Sequence, residues 1–121
     1  MARRRIAPAD GTMALAAWRS RPEQLDRREL ATAVRFTLEE LAERAPGNAV
    51  EVRVPPLGVT QCIEGPRHTR GTPPNVVETD AGTWLELATG RLSWDEAVAA
   101  ARVSASGTRT DLTSVLPLFG P

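Results

Sequence analysis

From residue 27 to residue 45 the apolar side chains recur at 3.6-residue spacing. Leu30, Val34, Leu38, Leu41 and Ala45 fall on one side, and Arg28, Arg35, Glu39 and Glu43 on the other. The pattern predicts a helix over about Arg27–Arg44. Asp26 is placed to cap it, with Glu29 as the reciprocal partner, and Pro46-Gly47 to stop it. Phe36 breaks the pattern by sitting on the charged side. It either packs under the N-terminal segment or marks a second contact surface. After Gly47 the period changes to two: Val50, Val52 and Val54 alternate with Glu51 and Arg53, as in a half-buried strand. Pro55 to Gly58 form a turn-like connection, and Val59–Glu64 follow as a second strand. So short a connection most simply joins an antiparallel pair.

Residues 65–74 hold three prolines and two glycines and are expected to be a polar loop. Asn75–Thr79 have the pattern of a third strand. Asp80 is set to cap a helix with Trp84, Leu85, Leu87 and Ala88, closed by Gly90. Ser93-Trp94-Asp95-Glu96 is a capping box that opens a short helix. Arg102–Ser106 suit a fourth strand. A last helix is expected after Thr110 or Asp111, with Leu112, Val115, Leu116 and Phe119 as its apolar stripe and Pro117 ending or distorting it. At the other end, residues 1–10 are expected to be a flexible arm, because three consecutive arginines repel and Pro8 limits regular structure. Thr12–Trp18 suit a brief helix. Residues 11–121 are then one domain, consistent in length with a single core.

Charge narrows the function classes. Fifteen basic and fifteen acidic residues cancel, so the basic surplus of a dedicated nucleic-acid binder is missing. No stretch approaches the roughly 18 apolar residues of a membrane span. Met1–Arg5 lead into no apolar run of a secretory signal, which points to the cytoplasm. Every basic residue is arginine and there is no tyrosine, which removes lysine Schiff bases and tyrosine acids or nucleophiles. One cysteine and one histidine exclude an internal disulfide, a multi-cysteine zinc site and a paired-histidine motif.

The richest polar cluster is Glu64, Arg67, His68 and Arg70. It suits a network that anchors the loop, arginine forks on carboxylates such as Glu64 or Glu78. The competing view is an acid–base or anion site. Cys62 has no base beside it and fits a buried, inert thiol. A metal held by Cys62, Glu64 and His68 would lack a fourth ligand. No phosphate-loop or nucleophile-elbow pattern occurs. Trp18, Trp84 and Trp94 fit core packing, with a ligand groove as the alternative.

The C-terminal half resembles the sterol carrier protein family. The run from Val76 to Asp80, then Thr83–Leu92, Trp94–Val98 and Arg102–Leu112 follows that family's layout of strand, helix ending in Thr-Gly-Arg, short helix and strand ending in Ser-Gly. The whole chain is similar to the compact actinobacterial sterol-carrier-like proteins, through "RAPGNAVEVRVPP" at Arg44–Pro56 and "QCIEGPRHTRGTPPNVVETD" at Gln61–Asp80. The resemblance implies an α+β fold with a mainly antiparallel sheet of about five strands under helices. Leu57–Val59 or Leu92 would supply the strand missing from the four counted above. It implies an apolar tunnel between sheet and helices for fatty acyl chains or sterol-like lipids. The corresponding ligand positions are Val50, Val52, Ile63, Val77, Leu85, Val103, Leu112, Val115, Leu116 and Phe119. It implies no catalytic residues and no cofactor. Noncatalytic carriage of an apolar molecule is therefore the first expectation. A structural or protein-interaction module without a small ligand is the second. An enzyme or metal protein using Glu64 and His68 is the third.

Overall fold

The structure, a computed structural model, describes residues 4–65 and 75–120. Its elements are α1 (Pro8–Ser20), α2 (Arg27–Arg44), β1 (Val50–Val54), β2 (Gly58–Cys62), β3 (Val76–Thr79), α3 (Ala81–Ala88), α4 (Trp94–Ala99) and β4 (Val103–Ser106). The α+β class stands, with four helices and one sheet among the described residues.

Helix α2 forms where its caps place it. The Asp26 carboxylate accepts from the Glu29 N–H at 2.8 Å, and the Glu29 side chain accepts from the Asp26 N–H. The helix is buried on more than the one predicted side, because it is the middle element of the molecule. Phe36 faces Gly11 of α1, Thr37 faces Trp84 of α3, and Leu38 and Val34 face Gly58 of β2. The Trp84 indole donates to the Thr37 hydroxyl at 2.7 Å, with both groups buried. Thr37→Val keeps the shape but leaves the indole N–H unpaired. It should cost about 1–3 kcal/mol in urea unfolding. Thr37→Ser, which keeps the acceptor, should recover most of that loss. A valine variant within about 0.5 kcal/mol of wild type would show that this bond is not needed.

Helix α1 is longer than the brief helix expected over Thr12–Trp18, and it takes in Pro8, Ala9 and Asp10. Proline is well tolerated there, since the first turn needs no N–H donor and favours the fixed φ of the ring.

The sheet differs from the expectation of about five mainly antiparallel strands. Among the described residues it has four strands in the order β2-β1-β3-β4 and is mixed. β1 pairs antiparallel with β2, Val52 opposite Thr60, and parallel with β3, Val52 opposite Val77. β3 pairs antiparallel with β4, Val77 opposite Ala105. The parallel pair arises because β3 starts at the end of the sheet where β2 stops. Asn75 fixes that start: its side-chain amide donates to the Ala49 carbonyl at 2.8 Å, and its own carbonyl accepts from Glu51 N–H at 2.9 Å. Its side-chain oxygen also accepts from Arg109 N–H at 2.8 Å, just beyond β4.

β2 ends at Cys62, two residues before the predicted limit. Ile63 adopts φ +66° and leaves the ladder, donating to the Ala45 carbonyl at 2.7 Å and accepting from Ala49 N–H at 2.9 Å.

The last predicted helix is absent. Asp111 accepts from Thr113 N–H at 2.9 Å, and the Leu112 carbonyl accepts from Val115 and Leu116 in a single turn. Pro117 then has no N–H to give, and its ring blocks another turn. The chain crosses α3 instead, where Leu118 and Phe119 both donate to the Ala88 carbonyl at 2.9 and 3.0 Å.

Candidate functional site

The side chains assigned to an apolar tunnel separate into three places. Val50, Val52, Val77, Leu85 and Leu112 are no more than 1% exposed and belong to one cluster of buried side chains. Ile63, Val103 and Val115 are half-buried at the margin of that cluster. Leu116 lies in a small cleft of about 210 Å³ with Leu87, Trp94 and Pro117. Leu116 and Phe119 also pack against the margin of the cluster, and Phe119 stacks on Phe36 with ring centroids 6.0 Å apart. Of the predicted loop network, Glu64 is exposed, while Arg67, His68 and Arg70 lie outside the described residues. Cys62 is fully buried, and burial pushes its thiol up to about 11. Among the described residues no three His, Cys, Asp or Glu side chains gather as a metal site requires.

A larger groove, of about 750 Å³, opens between the N-terminal segment, α2 and the outer edge of β2. Its floor is mixed, and the aliphatic side chains in it are largely buried. Leu38 and Ala42 come from α2, one turn apart, and Gly58 and Thr60 from β2. Thr60 belongs there because β2 alternates: Cys62 is buried, Thr60 half-buried, and Val59 and Gln61 exposed. Val59 and Ile6 complete the walls, and Arg5, Arg35 and Glu39 stand at the rim.

The wall at residues 5 and 6 is held by carboxylates of α2. Glu39 accepts from the backbone N–H of Arg5 at 3.0 Å and of Ile6 at 3.1 Å. Arg4 is ion-paired with Glu40 and Glu43, and its guanidinium lies over the Phe36 ring. Burial works against ionisation of Glu40, but hydrogen bonds from Arg4 and Arg44 outweigh it and hold the carboxyl below its ordinary range. The segment expected to be a free arm thus carries three polar anchors to α2.

The groove was not legible as a site in the sequence. Arg35, Glu39 and Ala42 lie at i, i+4 and i+7, a spacing that puts them on one face of α2. Two charges on that face suggest solvent, and only the course of residues 5 and 6 across it makes a wall.

No helix among the described residues is long and apolar enough to cross a membrane. No curated protein matches the chain. Residues 26–118 match the family model described as bacterial SCP ortholog. That span runs from the cap of α2 to the strap over α3 and takes in the whole sheet, leaving α1 and one wall of the groove outside it. The chain therefore belongs to the sterol carrier protein-like family.

Proposed function

We propose that the protein is a noncatalytic binder or carrier of an apolar small molecule, such as a fatty acyl chain or a sterol-like lipid, and that the groove between residues 5–6, α2 and β2 receives it. The observation that carries this reading is the groove itself: about 750 Å³ of space with Ile6, Leu38, Ala42 and Val59 in its lining, in a chain of this family. That volume falls in the range of small-molecule sites, and apolar walls with a few polar groups at the rim are their usual lining. Burial and a thiol pushed up to about 11 make Cys62 unsuited to act as a nucleophile.

Thr60→Trp tests the placement. Thr60 is half-buried and turned toward α2, so an indole there occupies the groove without entering the core. Binding of a fluorescent fatty acid to the wild type, and at least about tenfold weaker binding to this variant, is the expected result, a loss of roughly 1.4 kcal/mol. Ile6→Asp provides a second block that leaves the sheet untouched. Equal binding by all three proteins moves the site elsewhere. No binding by the wild type, together with no lipid in extracts of the purified protein, rejects carriage and favours the interaction-module reading.

A further inference from the structure

The rim of the groove is unequal in charge. Its one carboxylate, Glu39, uses both oxygens on the backbone N–H groups of Arg5 and Ile6. Arg35 donates its Nε to the Leu57 carbonyl at 2.7 Å, which fixes the guanidinium beside the β1–β2 turn. The two Nη groups of Arg35 and the whole guanidinium of Arg5 make no ion pair or hydrogen bond among the described residues. Arg4, Arg44, Arg53 and Arg102 do have carboxylate partners. Among the described residues, two cations and one carboxylate at the rim leave a surplus of positive charge next to Leu38, Ala42 and Ile6.

A guanidinium held by its Nε presents its remaining N–H groups in a fixed fork. Such a fork matches the paired oxygens of a carboxylate or phosphate. A hydroxyl offers it one acceptor and no charge. We propose that the groove selects single-chain amphiphiles ending in an anion, a carboxylate or a phosphate monoester. Arg35 and Arg5 hold the head group, and the chain lies along Leu38, Ala42 and Ile6. This rests on the carriage reading above and narrows it, since a sterol-like alcohol lacks the charge the rim asks for.

Calorimetric titration with dodecanoate, dodecyl phosphate, dodecanol and inorganic phosphate separates the components. The wild type should bind both anionic amphiphiles about tenfold or more tighter than dodecanol, as one partly exposed charge-assisted bond allows. Added salt should narrow the gap. Inorganic phosphate alone should give no binding heat. Arg35→Gln should bring the anions close to dodecanol while leaving dodecanol affinity unchanged. Arg5→Gln breaks no described side-chain contact, so it tests the same point without a folding risk. Dodecanol bound as tightly as dodecanoate, or anion affinity untouched in both arginine variants, overturns the head-group assignment and leaves carriage standing. Inorganic phosphate binding as tightly as dodecyl phosphate makes this an anion site only and overturns the amphiphile. No binding of any probe overturns the carriage reading and this one with it.

Discussion

Gly47→Ala is expected to destabilise the protein by about 4 kcal/mol, near the top of the range for a point substitution. Gly47 has φ +143°, a backbone region that side chains strain to enter at about 1–3 kcal/mol. A Cβ there would overlap the Ile63 carbonyl and come within 2.5 Å of the Glu64 nitrogen. These are backbone atoms, so no rotamer change relieves the overlap, which adds about 1–3 kcal/mol. Nor can Ile63 retreat, because its own N–H and carbonyl tie Ala45 to Ala49 on either side of Gly47. At this chain length the melting temperature should fall by roughly 3–6 °C per kcal/mol. Gly120→Ala, which meets nothing within 4 Å, is the control. A Gly47→Ala protein that melts with the control would show that this packed turn does not exist in solution.

The second large effect is expected at Phe36, where Phe36→Ala should cost about 3–5 kcal/mol, the range for a buried aromatic. Its ring joins the N-terminal segment, α1 and the C-terminal segment at one point. Phe119 stacks on it, Arg4 lies over it, and Gly11 brings α1 against it. That last approach has no room for a methyl group: a Cβ on Gly11 would fall 2.8 Å from the Phe36 Cβ and closer still to its ring. Gly11→Ala alone should therefore cost about 1–3 kcal/mol, less up to about 1 kcal/mol regained in helix propensity. On the Phe36→Ala background the same change should be neutral or stabilising, because the methyl enters vacated space. Unfolding of the four proteins gives the coupling energy directly. Additive effects would place Phe36 away from α1.

What the sequence made legible was what its local pattern determines. Asp26 with Glu29, and Ser93 with Glu96, are capping signals complete within four residues, and both helices begin there. The alternation of Val50, Val52 and Val54 reads directly as a strand with one buried face. The errors have a common origin in contacts between distant residues. The stripe Leu112, Val115, Leu116 and Phe119 has helical spacing, but Pro117 and the free carbonyl of Ala88 divert the chain across α3. Ile63 extends an alternating pattern, yet its backbone is claimed by Ala45 and Ala49. Phe36 looked misplaced only because its partners lie 25 residues before it and 83 after it. Val50, Val52 and Val77, marked as ligand contacts, are buried in the core cluster. The groove depends on which face of α2 the first residues cross, and no periodicity encodes that.

Asn75 separates the geometry of the sheet from the length of the connection before it. Its bonds reach Ala49, Glu51 and Arg109, all outside that connection, and they hold the start of β3. The connection itself adds the entropy of closing it. That grows only by about 0.6 kcal/mol for each doubling of length, less than the roughly 1 kcal/mol of a single hydrogen bond at Asn75. Lengthening the connection between Gly65 and Asn75 is therefore expected to cost the fold little through closure entropy. The register of β1 against β3 is expected to survive such a change, because Asn75 holds it from outside the connection.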